Sequence, residues 1–230
     1  MKKIGLIGGT GPESTILYYK ELNYKIDRAT NGKSMPEICI ESVDFRKAWE
    51  LVSKQQHDEL ALYISKKVNN LANSGAEVIT LTAATMHIVF DKIQNNTKNS
   101  LVSIPKAVCD EVLKRGYKRV GLLGTIFTME NNYMKKDLYN AGVNVIIPDK
   151  DDRDLIAKRI YEELEMGIVK KTTLQEFNQI IQKMINKHNI EAIILGCTEL
   201  PLLLNDDNCL LPCLDSVAIH IEKIIKLALE

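Results

Sequence analysis

The sequence predicts an α/β fold with parallel sheets, and three observations predict it. Short apolar runs of strand length alternate with segments whose apolar residues recur at helical spacing. Several of those runs lead directly into glycine- or threonine-rich turns that open a helix, the arrangement of parallel strands joined by crossovers. The chain also repeats itself. Residues 76–85 lie over 190–199, and 4–9 over 120–125, at offsets of 114 and 116.

Taken in order, residues 4–7 form a first strand that enters Gly-Gly-Thr-Gly-Pro-Glu-Ser-Thr over 8–15. Pro12 suits the first turn of a helix, and Tyr18, Leu22 and Ile26 mark its apolar face. A second strand covers 38–40 and gives way to a polar segment at Asp44-Phe-Arg46. A helix over 59–74 stops at Gly75, and a third strand, 78–81, enters Thr82-Ala-Ala-Thr-Met-His87. The pattern then restarts with a helix over 104–114, a strand over 120–123 entering Gly124-Thr125, a helix over 129–139 and a strand over 143–147. Helices over 152–165 and 174–187 precede a buried strand, 192–195, bounded by Gly196. Residues 200–204 read as the start of a helix, and 215–229 close the chain as another. The repeat divides the chain into two α/β lobes, 1–98 plus 212–230 and 99–211, with the crossing near 99–103.

Thirty Lys and Arg balance thirty Asp and Glu, so no overall field invites nucleic acid or an anionic membrane. The glycines after Ile7 interrupt the apolar start too early for a signal peptide, and no apolar run reaches transmembrane length. Five widely spaced cysteines are an odd set, unlike a disulfide framework. These features point to a reduced, cytoplasmic protein.

The chemistry concentrates at Gly196-Cys-Thr-Glu199. A thiol at the carboxyl end of a parallel strand lies where open α/β sheets place ligands. A helix starting just beyond it would favour negative charge and thiolate there. Packing of a small buried thiol is the alternative reading of Cys197. The loop over 8–15 lacks the Gly-Lys-Ser/Thr ending of a nucleotide P-loop and the third glycine of a dinucleotide fingerprint. It fits a turn whose backbone N–H groups hold a small carboxylate, with Thr10 and Ser14 adding hydroxyls. Arg46 can grip a carboxylate bidentately or form a surface salt bridge, and Lys170, beyond the Gly167 turn, can hold a second carboxylate. Cys209, Cys213 and His220 have poor zinc spacing and read as core residues, as do Cys39 and Cys109. His57 and His188 read as solvated helix residues, and His87 as a helix cap or a chemical group.

Together the motifs Gly-Leu-Ile-Gly-Gly-Thr-Gly-Pro-Glu-Ser-Thr over 5–15, Ala-Thr-Met-His over 84–87, Gly-Leu-Leu-Gly-Thr over 121–125, Thr-Met-Glu over 128–130 and Gly-Cys-Thr-Glu over 196–199 resemble the aspartate/glutamate racemase family. The resemblance implies two pseudo-symmetric α/β lobes with the active site in the cleft between them, a homodimer, and no cofactor or metal. It implies a dicarboxylic amino acid as substrate and one thiol from each lobe moving a proton at Cα. Cys197 matches one thiol, and Ala83 stands at the position of the other, with Ala84 where an asparagine is common. Arg46 matches an arginine for the side-chain carboxylate, while Thr85, Thr125 and Thr198 match positions lining the site, beside Glu199.

The expected function is cofactor-independent racemisation of aspartate or glutamate, slow or biased in direction because alanine carries no exchangeable proton. Water, Thr82 or Thr85 would replace the missing group. One-face chemistry on an enolate, as in malonate-type decarboxylases, and silent binding of small acids are the other readings.

Overall fold

Every strand pairs in parallel, and the strands form two four-stranded sheets. The structure, a computed structural model, describes all 230 residues. They divide into two units, 1–103 with 220–230, and 104–219.

The first unit runs β1 (Ile4–Gly8), α1 (Pro12–Ala29), β2 (Ile38–Ser42), α2 (Phe45–Ser53), α3 (His57–Asn73), β3 (Val78–Leu81), a 3-10 segment (Ala84–Val89), α4 (Phe90–Asn95) and β4 (Leu101–Val102). The second runs α5 (Ile104–Arg115), β5 (Arg119–Leu123), α6 (Ile126–Glu130), α7 (Lys136–Asn140), β6 (Asn144–Ile146), α8 (Lys150–Glu162), a 3-10 turn (Leu164–Met166), α9 (Lys171–His188), β7 (Ala192–Leu195), a 3-10 turn (Leu200–Leu202) and β8 (Cys213–Asp215). Helix α10 (Ser216–Leu229) begins in the second unit and ends in the first.

The sheet orders are β2-β1-β3-β4 and β6-β5-β7-β8, one topology used twice. The repeat in the sequence is therefore a repeat of fold. In each order the chain reverses direction across the sheet beside β1 or β5, which opens a crevice at the strands' carboxyl ends. All residues of β1, β3 and β7 are buried, as strands covered on both faces by helices must be.

Two departures from the sequence reading have local causes. The helix expected over 129–139 is two short helices, α6 and α7. The buried Lys135 ammonium reaches back along the chain and marks the break, donating to the Met129 and Glu130 carbonyls at 2.7 and 3.2 Å. This side chain takes carbonyls that a continuous helix would have used. Residues 200–204 form only a single 3-10 turn, with Pro201 inside it.

A buried polar cluster ties α10 to the first sheet. The His220 ring lies 2.7 Å from Tyr18 Oη through Nδ1 and 3.0 Å from Thr80 Oγ1 through Nε2, while Thr80 Oγ1 donates to Val102 O at 2.7 Å. Since Thr80 has spent its proton on Val102, Nε2 carries the ring proton and Tyr18 donates to Nδ1. With both nitrogens engaged, His220 is a core residue. The Tyr18 and His220 rings also meet edge-on at 5.6 Å.

Burial pushes His220 down to about 3 and His87 down to about 4. Both rings stay neutral in the folded protein and charge near pH 6.5 once unfolded, so unfolding takes up protons below that pH. Stability is full above about pH 6.5 and falls as the pH drops, by up to about 1.4 kcal/mol per pH unit for each ring. Urea unfolding at pH 7 and pH 5 measures this, and His220→Gln, weaker at both, is expected to show the shallower fall.

Candidate active site

In the second unit the site is built on the end of β7. Gly196 N donates to Leu123 O at 2.8 Å, carrying the sheet one residue further. A β-carbon at position 196 would stand 2.9 Å from Thr128 Cγ2 and 3.0 Å from Leu123 O, so only glycine brings the strand this close. Gly196→Ala is expected to cost about 1–3 kcal/mol, as overpacking does, and to displace the next residue, Cys197; a urea midpoint with an activity assay checks both.

Thr128 is buried beneath this loop, and its hydroxyl lies 3.1 Å from Thr125 Oγ1 and 2.9 Å from Tyr133 Oη. Thr125 caps α6 by accepting from Thr128 N at 3.2 Å.

Cys197 is half-buried, and its thiol donates to Glu199 Oε2 at 2.7 Å. Thr198 Oγ1 donates to the other oxygen of the same carboxylate, also at 2.7 Å. Burial first, and the Glu199 carboxylate second, push the Cys197 thiol well above its ordinary range. The expected field from a following helix is missing, because only a 3-10 turn follows. This corrects the sequence reading: burial and Glu199 favour the thiol over the thiolate that a following helix would have favoured.

Glu165 lies in the 3-10 turn after α8. Burial and the Glu199 charge push its carboxyl upward. Its turn is anchored by the buried Glu163, which accepts from Thr173 Oγ1 at 2.6 Å, Arg159 at 2.9 Å and Lys170 at 3.1 Å. Lys170, expected to reach a substrate carboxylate, therefore sits on Glu163 at the N-cap of α9.

The equivalent strand end in the first unit carries no acid or base at the matching place. Ala83 follows β3 in extended backbone and is buried. Ala84 and Thr85 begin the 3-10 segment and are half-buried. The buried His87 ring sits 3.1 Å from the Ala83 carbonyl through Nδ1 and stacks on Phe90 at 5.2 Å, which fixes this turn. On the β1 side Gly9 has φ 85°, and a β-carbon there would strike Ser42 and Val43. Gly9 N donates to Thr15 Oγ1 at 3.0 Å, and Ser14 Oγ donates to the Thr82 carbonyl. Thr10 is half-buried in the same loop, and Arg46 is exposed in the first turn of α2, beyond β2. Thr10, Ser14, Arg46, Ala83, Ala84 and Thr85 thus all follow carboxyl ends of one sheet, and Thr125, Cys197, Thr198 and Glu199 those of the other.

Sequence reasoning missed Glu165 and Tyr133. Neither stands in a motif: Tyr133 reaches Thr128 across the break between α6 and α7, and the charge of Glu199 reaches Glu165 only on folding. No helix is long and apolar enough to cross a membrane.

The Asp/Glu/Hydantoin racemase family model matches residues 7–224. A crystal structure of a candidate Asp/Glu racemase from Yersinia pestis is 35% identical, covers 100% of both chains and superposes with a TM-score of 0.94. An aspartate racemase homologue from Pyrococcus horikoshii OT3 is 37% identical over 100% of both chains, at 0.90. The broad specificity amino-acid racemase RacX of Bacillus subtilis is 26% identical over 94% of this chain and 93% of its own. With the same fold used twice and the Gly-Cys-Thr-Glu strand end in place, the chain belongs to the Asp/Glu/Hydantoin racemase family of isomerases.

Proposed function

We propose that this protein racemises aspartate, glutamate or both without a cofactor, and that Cys197 is its one side-chain proton carrier at Cα. The observation that carries the reading is the Cys197 thiol hydrogen-bonded to Glu199 at the end of β7. Racemisation removes a proton from one face of Cα and returns one to the other. A positioned acid delivers that proton to the developing carbanion, while hydroxyl and backbone donors stabilise the charge on the carboxylate. Thr125 supplies such a hydroxyl, Thr198 holds Glu199 beside the thiol, and Thr10 and Arg46 suit the substrate's carboxylates. Glu199 accepts the thiol proton whenever Cys197 must act as the base.

The family's two-thiol scheme puts the second thiol at position 83, which is alanine here. Water serves that face, and the reaction is slow for it. Enantiomers are equal in free energy in water, so kcat/KM is the same in both directions. A bias appears only in kcat and KM taken separately.

Following the chirality of each enantiomer of aspartate and glutamate with time tests this. Inversion from both sides, with unequal kcat and equal kcat/KM, is the expected outcome. Binding without inversion of any of the four would overturn the reading and favour a silent small-acid binder.

A further inference from the structure

A line of three hydroxyls runs from the break between α6 and α7 to the turn just past β5. Tyr133 Oη lies 2.9 Å from Thr128 Oγ1, which in turn lies 3.1 Å from Thr125 Oγ1. Thr128, in the middle, is buried, and Thr125 and Tyr133 at the two ends are half-buried.

Packing fixes the line. The Thr128 methyl faces Gly124 and Gly196, where β-carbons would stand 3.1 and 2.9 Å from it. A β-branched side chain held by its methyl has little freedom at χ1, so the hydroxyl stays turned toward Thr125 and Tyr133. The Tyr133 ring lies against Phe127, with centroids 6.0 Å apart.

The count of protons sets the direction. Thr125 Oγ1 already accepts from Thr128 N at 3.2 Å. Thr128 has one hydroxyl proton and two hydroxyl neighbours. A phenol is a stronger donor and a weaker acceptor than an alcohol, so Tyr133 donates to Thr128 and Thr128 donates to Thr125. Thr125 then accepts twice and keeps its own proton for a group outside the line. The reverse order would spend that proton on Thr128. Each link also polarises the next, which strengthens the last donor.

We infer that Tyr133 is a positioning residue: through Thr128 it turns the Thr125 hydroxyl outward as a donor to a carboxylate of the bound amino acid. That the ligand is an amino acid rests on the racemase reading. Tyr133 acts only through Thr128.

Tyr133→Phe keeps the ring against Phe127 and deletes only the hydroxyl. KM for the preferred acid is expected to rise about two- to tenfold, as the loss of one net hydrogen bond does. The fall in kcat is smaller, because that carboxylate is charged before Cα loses its proton. Thr128→Val cuts the line at its middle with nearly the same shape and is expected to raise KM alike, and the double variant to add nothing further. Calorimetric binding of aspartate and glutamate accompanies the racemisation assay, so affinity is read whether or not inversion occurs. Weaker binding in Tyr133→Phe that does not compound with Thr128→Val supports the role of Tyr133 even in a protein that inverts neither acid. Unchanged KM and affinity in Tyr133→Phe, whatever its urea midpoint, overturn that role and leave the racemase reading standing, as do penalties that multiply in the double variant. A protein that binds neither acid overturns both.

Discussion

Replacing Cys197 by alanine removes racemisation, with a loss in kcat on the order of 10²- to 10⁴-fold, the range for deleting one positioned acid or base. Because Ala83 provides no second group, the loss belongs at the upper end of that range. The substitution deletes one sulfur from a half-buried site, so the fold persists; β7 and the Gly196 turn owe their positions to Leu123 and Thr128. KM changes little, since the residues suited to the carboxylates remain. Serine at the same position keeps a hydroxyl able to reach Glu199 but is a far weaker acid than a thiol, and is expected to behave like alanine. Chiral chromatography of aspartate and glutamate reads both variants. A Cys197→Ala protein as fast as the original removes Cys197 from the chemistry.

Ala83→Cys raises kcat by on the order of 10²- to 10⁴-fold, by restoring the missing proton carrier. The position can accept it. Ala83 has extended backbone, φ −121° and ψ 128°, so a larger side chain meets no backbone strain. His87 holds its carbonyl and, being buried and stacked on Phe90, keeps the turn in place around the new side chain. The two values of kcat should also draw together, because both faces then have a thiol. Ala83→Ser adds nearly the same bulk without a comparable acid and serves as control, with little gain expected. An unchanged rate in Ala83→Cys means that water or a neighbouring threonine already meets the need on that face.

The strands were the most legible part of the chain. Ala192–Leu195 is an uninterrupted apolar run and Val78–Leu81 is apolar but for Thr80; both are closed by polar or glycine turns and fold with the expected bounds. The internal repeat foretold one topology used twice. Helix ends were harder where a distant atom of a side chain decides them. The apolar spacing through 129–139 continues helically across a break made by the Lys135 ammonium. The helix expected after Cys197 fails at a single 3-10 turn, and with it goes the argument for a thiolate. Cys197 itself was legible from its place after a buried strand. Its protonation was not, since burial and the Glu199 contact emerge only on folding. Tyr18 and His220 meet across 202 residues, and no local pattern announces such a pair.

The central claim is that Cys197 exchanges protons with the substrate's Cα. In D₂O, each enantiomer of the preferred acid should gain one deuterium at Cα for every molecule that inverts, and Cys197→Ala should stop deuterium uptake and inversion together. Inversion without deuterium in the product, or deuterium uptake undiminished in Cys197→Ala, contradicts the account.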